Sequence, residues 1–336
     1  MEPIKEPTPL VLVTSSPHMH CGLTIGKSMR EVMLALVPAI IASVYYFRMS
    51  AAIVMVTCVV SAIVFETICN KVMHKPNTVQ DGSAALTGLL LAMCLPASMP
   101  PLFAAMGSMF AIVVGKAVFG GLGCNIFNPA HIGRAILLAS FPQQMTNWVL
   151  PATAAASDAV STATPLAVMR ATEKIWQAGG AASAAKLPDL MNLFWGNVGG
   201  SLCETCVPAL VLGGLYLIYK KLIDWRIPVF YLVTVAILTG VYGAVMGYPS
   251  TFPLYHLFAG GLMIGAFFMA TDWVTSPITK KGKIIYAIGL GVLTSLIRLR
   301  GSYTEGVCYS ILMMNMVTPM IDRFVRNVSF GGGLKK

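Results

Sequence analysis

REVMLALVPAIIASVYYFRMSAAIVMVTCVVSAIVFETIC, Arg30 to Cys69, decides the fold class. It reads as two apolar runs, residues 30–48 and 50–69. Each run is close to the roughly 20 residues that an α-helix needs to cross a bilayer. Working outward, runs of similar character recur at 84–100, 102–122, 128–147, 203–220, 228–247, 254–271, 283–299 and 303–321, which makes ten. Two of them are interrupted: 84–100 breaks at Pro96, and 128–147 opens within FNPAHIGR, which carries Asn128, Pro129, His131 and Arg134. Broken spans of this kind build sites at membrane depth, because unwound backbone there must be satisfied by protein or water.

Composition agrees. Of 336 residues, 56% are hydrophobic and 11% charged, with mean hydropathy +0.75. A soluble domain carries about 25% charged residues, so much of this surface is expected to face lipid. The net charge of +10 is spread singly or in pairs between apolar runs. That suits membrane-surface loops and not the one-sided basic face of a nucleic-acid binder. The N-terminal MEPIKEPTPLVLV has an apolar run too brief for a cleavable signal, so the first span is expected to direct insertion.

Loop charges orient the chain. With the N-terminus inside, the inner segments hold Lys5, Lys27, Arg30, Lys71, Lys75, Lys220, Lys221, Arg226, Lys280, Lys281, Lys283, Arg323, Arg326, Lys335 and Lys336, fifteen in all, and the short outer loops hold Arg48, Arg298 and Arg300. Both termini are therefore expected inside and residues 142–202 outside the cytoplasm. The expected organisation is an all-α integral membrane fold: an inner segment 1–29, five helices over 30–147, an outer loop 148–202, five more helices over 203–321, and an inner tail 322–336. An odd number of spans per half makes the halves inverted repeats. At an offset of 173 residues, Glu31 aligns with Glu204, Gly88 with Gly261 and Gly133 with Gly306.

The outer loop contains SDAVSTATPLA, Ser157 to Ala167. Its Asp158-x-x-Ser161-x-Ala163-Thr164 ends against Pro165, which pushes Thr164 toward extended backbone. Small neighbours leave the threonine hydroxyl open to a large partner, and Asp158 is a candidate to orient or deprotonate it or to help hold a metal-bound substrate near it. By composition alone the stretch also reads as an Ala/Thr/Ser-rich linker.

The pattern resembles the flavinylation motif of a family of membrane proteins. That family includes the D subunit of the Rnf electron-transport complex and the B subunit of the sodium-pumping NADH:quinone oxidoreductase. DGSAALTGLLLAMCLP (81–96), FNPAHIGRAILLA (127–139), GSLCETCVPALVLGG (200–214), FFMATDWVTSP (267–277) and YTEGVCYSILMMN (303–315) resemble family blocks in the family's order. Length and the short N-terminus resemble the Rnf branch. Thr162 stands where many relatives have glycine, which puts a second hydroxyl beside Thr164.

The resemblance implies FMN joined by a phosphoester to Thr164, with Asp158, Ser161 and Ala163 completing the motif. It also implies a non-covalent riboflavin that no motif here places. A flavin transferase of the ApbE type would attach the FMN, since nothing in this chain supplies the metal or base for attack on the FAD pyrophosphate. The implied role is an electron relay in a multi-protein complex of the bacterial inner membrane. That complex exchanges electrons between ferredoxin and NAD and moves Na⁺ or H⁺. The active site is shared among subunits, so no complete one is expected here. A secondary transporter without a redox group is the contrasting reading, because ten spans with broken helices is also a transporter architecture.

Ionisable residues within or near spans are Glu66, Lys116, Arg134, Glu204, Asp272 and Glu305. Charge at such depth is costly and commonly functional. Helix-to-helix pairing or a position at the interface is the expectation for Glu66 and Lys116, and Asp272 reads equally well as a helix cap. Of eight cysteines, only Cys203-x-x-Cys206 has ligand spacing, and without a second pair it reads as helix packing. No metal site is expected.

Overall fold

The computed structural model describes residues 24–76, 78–151, 163–177, 187, 189–202, 206–301 and 305–326. Among them the chain is helical, and strand pairing is limited to one isolated bridge between Pro96 and Ser201.

The quoted stretch forms α1 (Ile25–Val72), capped by the Thr24 hydroxyl, which accepts from the Lys27 amide. At 48 residues it has length for two crossings, and Arg48, at φ 51° and ψ −133°, divides it into arms 25–47 and 49–72. The arms fold back on one another. Gly26 in the first lies against Asp81, and Glu66 in the second accepts from the Thr78 hydroxyl at 2.8 Å, so both outer ends meet at one level. Arg48, expected in an outer loop, is the fold-back itself.

Next come α2 (Ser83–Met93), α3 (Pro101–Ile112), which runs into a π-helical turn Val113–Ala117, and α4 (Pro129–Ser140). In the expected spans 84–100 and 128–147 the longest helices, α2 and α4, have only 11 and 12 residues, about 17–18 Å at 1.5 Å per residue and half a bilayer. The cause is local. Pro96 and the Pro100–Pro101 pair stop α2 and restart the chain as α3. Asn128 caps α4 by accepting from the Ala130 amide, with Pro129 at the first helical position. Close packing holds these short helices: a Cβ on Gly88 would lie 2.5 Å from the Cys58 carbonyl oxygen, which fixes a glycine there.

The chain continues through α5 (Pro142–Met145), α6 (Pro165–Gln177) and α7 (Leu190–Trp195) into its second half. That half comprises α8 (Val207–Tyr219), α9 (Arg226–Met246), the pair α10 (Phe252–Phe258) and α11 (Leu262–Ile264), α12 (Lys280–Arg300) and α13 (Val307–Phe324). A π-helical turn Gly265–Met269 continues α11, and the chain bends by 65° between α10 and α11. Among the described residues, α1, α9 and α12 are each long and apolar enough to cross a membrane, and the bent pair reaches that length and hydropathy when its two limbs are taken together. Lipid-facing character is plain on α9, where Val229, Val233, Ile237, Val241 and Val245 are exposed at every fourth position.

Candidate functional site

Three places carry chemistry. The first is the start of α6. Thr164 is 5% exposed; its Oγ1 accepts from the Ala167 amide at 3.2 Å, and its carbonyl accepts from Val168 at 3.0 Å. The residue expected to present an open hydroxyl is thus a buried N-cap, because the amphipathic helix behind it is docked. Leu166 packs with Leu193, Val198 and Ala259, and Trp176 stacks 4.7 Å from Tyr248. Arg170 donates to the Gly301 carbonyl at the end of α12. Ala163, beside Thr164, is exposed. Asp158, Ser161 and the alternative hydroxyl Thr162 lie outside the described residues. In the same helix Glu173 is buried, and that burial, opposed by the nearby Arg170 charge, pushes its carboxyl up to about 7.

The second place is the break between α10 and α11, directly beneath α6. Gly260, at φ +72°, lies between Leu166 and the Arg298 guanidinium. Arg298, expected in an outer loop, is instead buried, because the broken helix needs donors. It donates to the carbonyls of His256, Ala259 (3.1 Å) and Glu305 (2.9 Å). Arg134 of α4 pairs with the Glu305 carboxylate just before α13, a link of 171 residues that ties the two halves together. His131 and His256 are buried close by, and their ring nitrogens have no hydrogen-bond partner among the described residues. The sequence signal for Arg134 is its place in FNPAHIGR; for Arg298 there is none, since it stands at a span end like any snorkelling arginine.

The third place lies at the opposite, lysine-rich end. A cavity of about 270 Å³ opens between the halves, lined by the apolar Phe267, Phe268, Leu86, Leu90 and Met29 and by the polar Asn125, Asn128, Lys116, Thr271 and Asp272. Apolar walls with a few convergent polar groups are the composition of a small-molecule site. Asn128 donates to the Met269 carbonyl at 3.2 Å, so the cap of α4 is bound to the π-turn of the other half. Lys116, also in a π-turn, donates to Glu66 at 2.7 Å and to the Ser83 hydroxyl at 2.6 Å. Glu66 and Lys116 thus form a pair between helices, with each other as partners. Asp272 accepts from the Thr275 hydroxyl at 3.2 Å, as a cap does, while facing the cavity. Glu204 and Cys203 lie outside the described residues. Among those described, no cluster of His, Cys, Asp or Glu has metal-binding geometry.

The profile of the NQR2, RnfD, RnfE family matches residues 12–331. The D subunit of the proton-translocating ferredoxin:NAD(+) oxidoreductase complex of Clostridium ljungdahlii is 51% identical over 322 residues, which cover 95% of this chain and 96% of that one. The D subunit of the Na(+)-translocating ferredoxin:NAD(+) oxidoreductase complex of Acetobacterium woodii is 44% identical, covering 95% of each. The D subunit of an ion-translocating oxidoreductase complex of Stutzerimonas stutzeri is 38% identical, covering 92% of each.

Proposed function

The chain belongs to the NQR2, RnfD, RnfE family, and from that premise we propose that it is the membrane flavoprotein subunit of an ion-translocating Rnf-type complex. The complex couples electron transfer between ferredoxin and NAD to movement of Na⁺ or H⁺, and this chain is one relay. The names of the relatives support the complex and its translocase activity. The motif supports the relay.

The observation that carries the cofactor is the position of Thr164 at the N-terminus of a thirteen-residue helix. Helix N-termini hold phosphate through free amides and the positive end of the dipole. Esterifying Oγ1 removes its proton and leaves its lone pairs, so the Ala167 amide keeps an acceptor, now beside phosphate oxygens. Bound FMN supplies the electron-transfer chemistry, and the protein sets its place and surroundings. In maturation, Thr164 Oγ1 bonds to the FMN-side phosphorus of FAD, the bond to AMP breaks, and the hydroxyl proton passes to a base of the transferase. The burial of Thr164 means that this step precedes the docking of α6 or requires its release.

We place the Thr164 end outside the cytoplasm and the lysine-rich end inside, on the loop charges. A second, non-covalent flavin fits the inner cavity in character: Phe267 and Phe268 offer apolar ring faces, and Asn125, Asn128 and Thr271 offer polar edges.

Intact mass of the isolated chain tests the reading. One added FMN, fluorescent on a denaturing gel, is the expected result. A dark band from cells that express the transferase leaves a transporter-like protein and sinks the relay. FMN mapped to Thr162 or Ser161 would move the site and leave the function.

A further inference from the structure

A second cavity, about 350 Å³, lies beside the first at the lysine-rich end, and its character is different. Lys221, Arg226 and Lys283 line it against a single carboxylate, Asp224. Asp224 pairs with Arg226 at 3.1 Å and with Lys283 at 3.3 Å. Lys221 has no carboxylate within ion-pair distance among the described residues, so the wall keeps a surplus of two positive charges. Lys221 sits at φ 57° as the left-handed residue that ends α8, its amide donating to the Ile218 carbonyl at 2.9 Å and the Leu222 amide to the Leu217 carbonyl at 3.0 Å, which turns its side chain out of the helix. Two indoles flank the opening: Trp225 and Trp273, 47% and 53% exposed. Tryptophans half out of the protein mark the headgroup level of a membrane.

What fills such a cavity follows from the helix that leaves it. Trp225 is the residue before α9, four positions ahead of Val229. From Val229 the exposed stripe Val229–Val233–Ile237 runs down the lipid side. A ligand with a phosphate at the basic wall and a hydrocarbon chain along that stripe matches every element of the surface. Basic pockets at the inner face of membrane proteins hold anionic lipid heads.

We propose that this cavity is a specific site for one anionic phospholipid, its phosphate held by Lys221, Arg226 and Lys283 and its acyl chain laid along α9. The site is independent of the flavin assignment. It anchors the loop between α8 and α9 to the bilayer beside the entrance of the inner cavity.

The test uses the purified complex in detergent, exchanged with equal amounts of phosphatidylglycerol and phosphatidylcholine. Lipid retained on this chain is counted by native mass spectrometry. Two uncompensated charges predict a preference for phosphatidylglycerol on the order of thirtyfold. Lys221→Gln with Lys283→Gln should bring that preference close to one. If the double variant fails to assemble, Lys221→Gln alone should lower the preference about fivefold. Equal retention of the two lipids, or a preference that survives these substitutions, overturns the proposal. Complete displacement of phosphatidylglycerol by equimolar inorganic phosphate also overturns it, since the site would then recognise a free anion and not a lipid.

Discussion

Thr164 is asked to do two things, and substitution separates them. Its Oγ1 caps α6 through the Ala167 amide, and under the proposed function the same atom carries FMN. Thr164→Ala removes both. Loss of an N-cap costs about 1 kcal/mol, within a range of roughly 0.5–2, which is about a fivefold shift in the balance between docked and loosened α6. The loss is local, because Leu166, Trp176 and Arg170 still hold the helix down. Thr164→Asn restores the cap, since asparagine is at least as good an N-cap as threonine, but offers no hydroxyl to esterify. Hydrogen exchange at the Ala167 and Val168 amides, read beside in-gel flavin fluorescence, distinguishes the roles. The alanine variant should exchange about fivefold faster and be dark. The asparagine variant should exchange like the parent and also be dark. A fluorescent Thr164→Asn band refutes the attachment site, and unchanged exchange in Thr164→Ala refutes the cap.

Three further outcomes follow from the geometry. Lys116→Met strands a buried Glu66 carboxylate and should cost about 3–5 kcal/mol, whereas Lys116→Met with Glu66→Gln should recover most of that; unfolding of the set in mixed micelles measures it, and a double variant no better than the single one refutes the pairing. Glu173, held up to about 7 against an unfolded value of 4.5, favours docked α6 fully below the unfolded value, and that contribution is lost as pH rises through about 7. Proteolysis near α6 should accelerate from about pH 5 to about pH 8 in the parent and stay flat in Glu173→Gln. A cysteine placed at the exposed Ala163 should react with an impermeant maleimide from outside intact cells, and labelling only after lysis would invert the topology.

The helical class and the interruptions around Pro96 and Asn128 are legible in the sequence because both are local. Pro96 and the Asn128-Pro129 pair act on the nearest turn, and the helices stop and start where they dictate. What stays hidden is the destination of each charge. Glu66 finds Lys116 fifty residues away, and Arg134 finds Glu305 across the two halves; no spacing encodes either. Arg298 looks like a loop charge because a span's end and a buried helix break share the same hydropathy. The environment of Thr164 escapes the sequence for a related reason. Its flanks, Ala163 and Pro165, predict an open segment, but exposure is set by Leu166, Arg170 and Trp176, which dock the helix that follows.

The break between α10 and α11 has one more consequence. Half-helices that end within a membrane protein turn bare carbonyls toward the midplane, and in transporters such carbonyls cradle a travelling cation. Here the carbonyls of His256 and Ala259 already hold a cation that cannot travel, the guanidinium of Arg298. The seat is plugged by a tethered counter-ion. An ion moving through this chain must therefore either lift Arg298 from its seat or take a route that avoids the second half's bend.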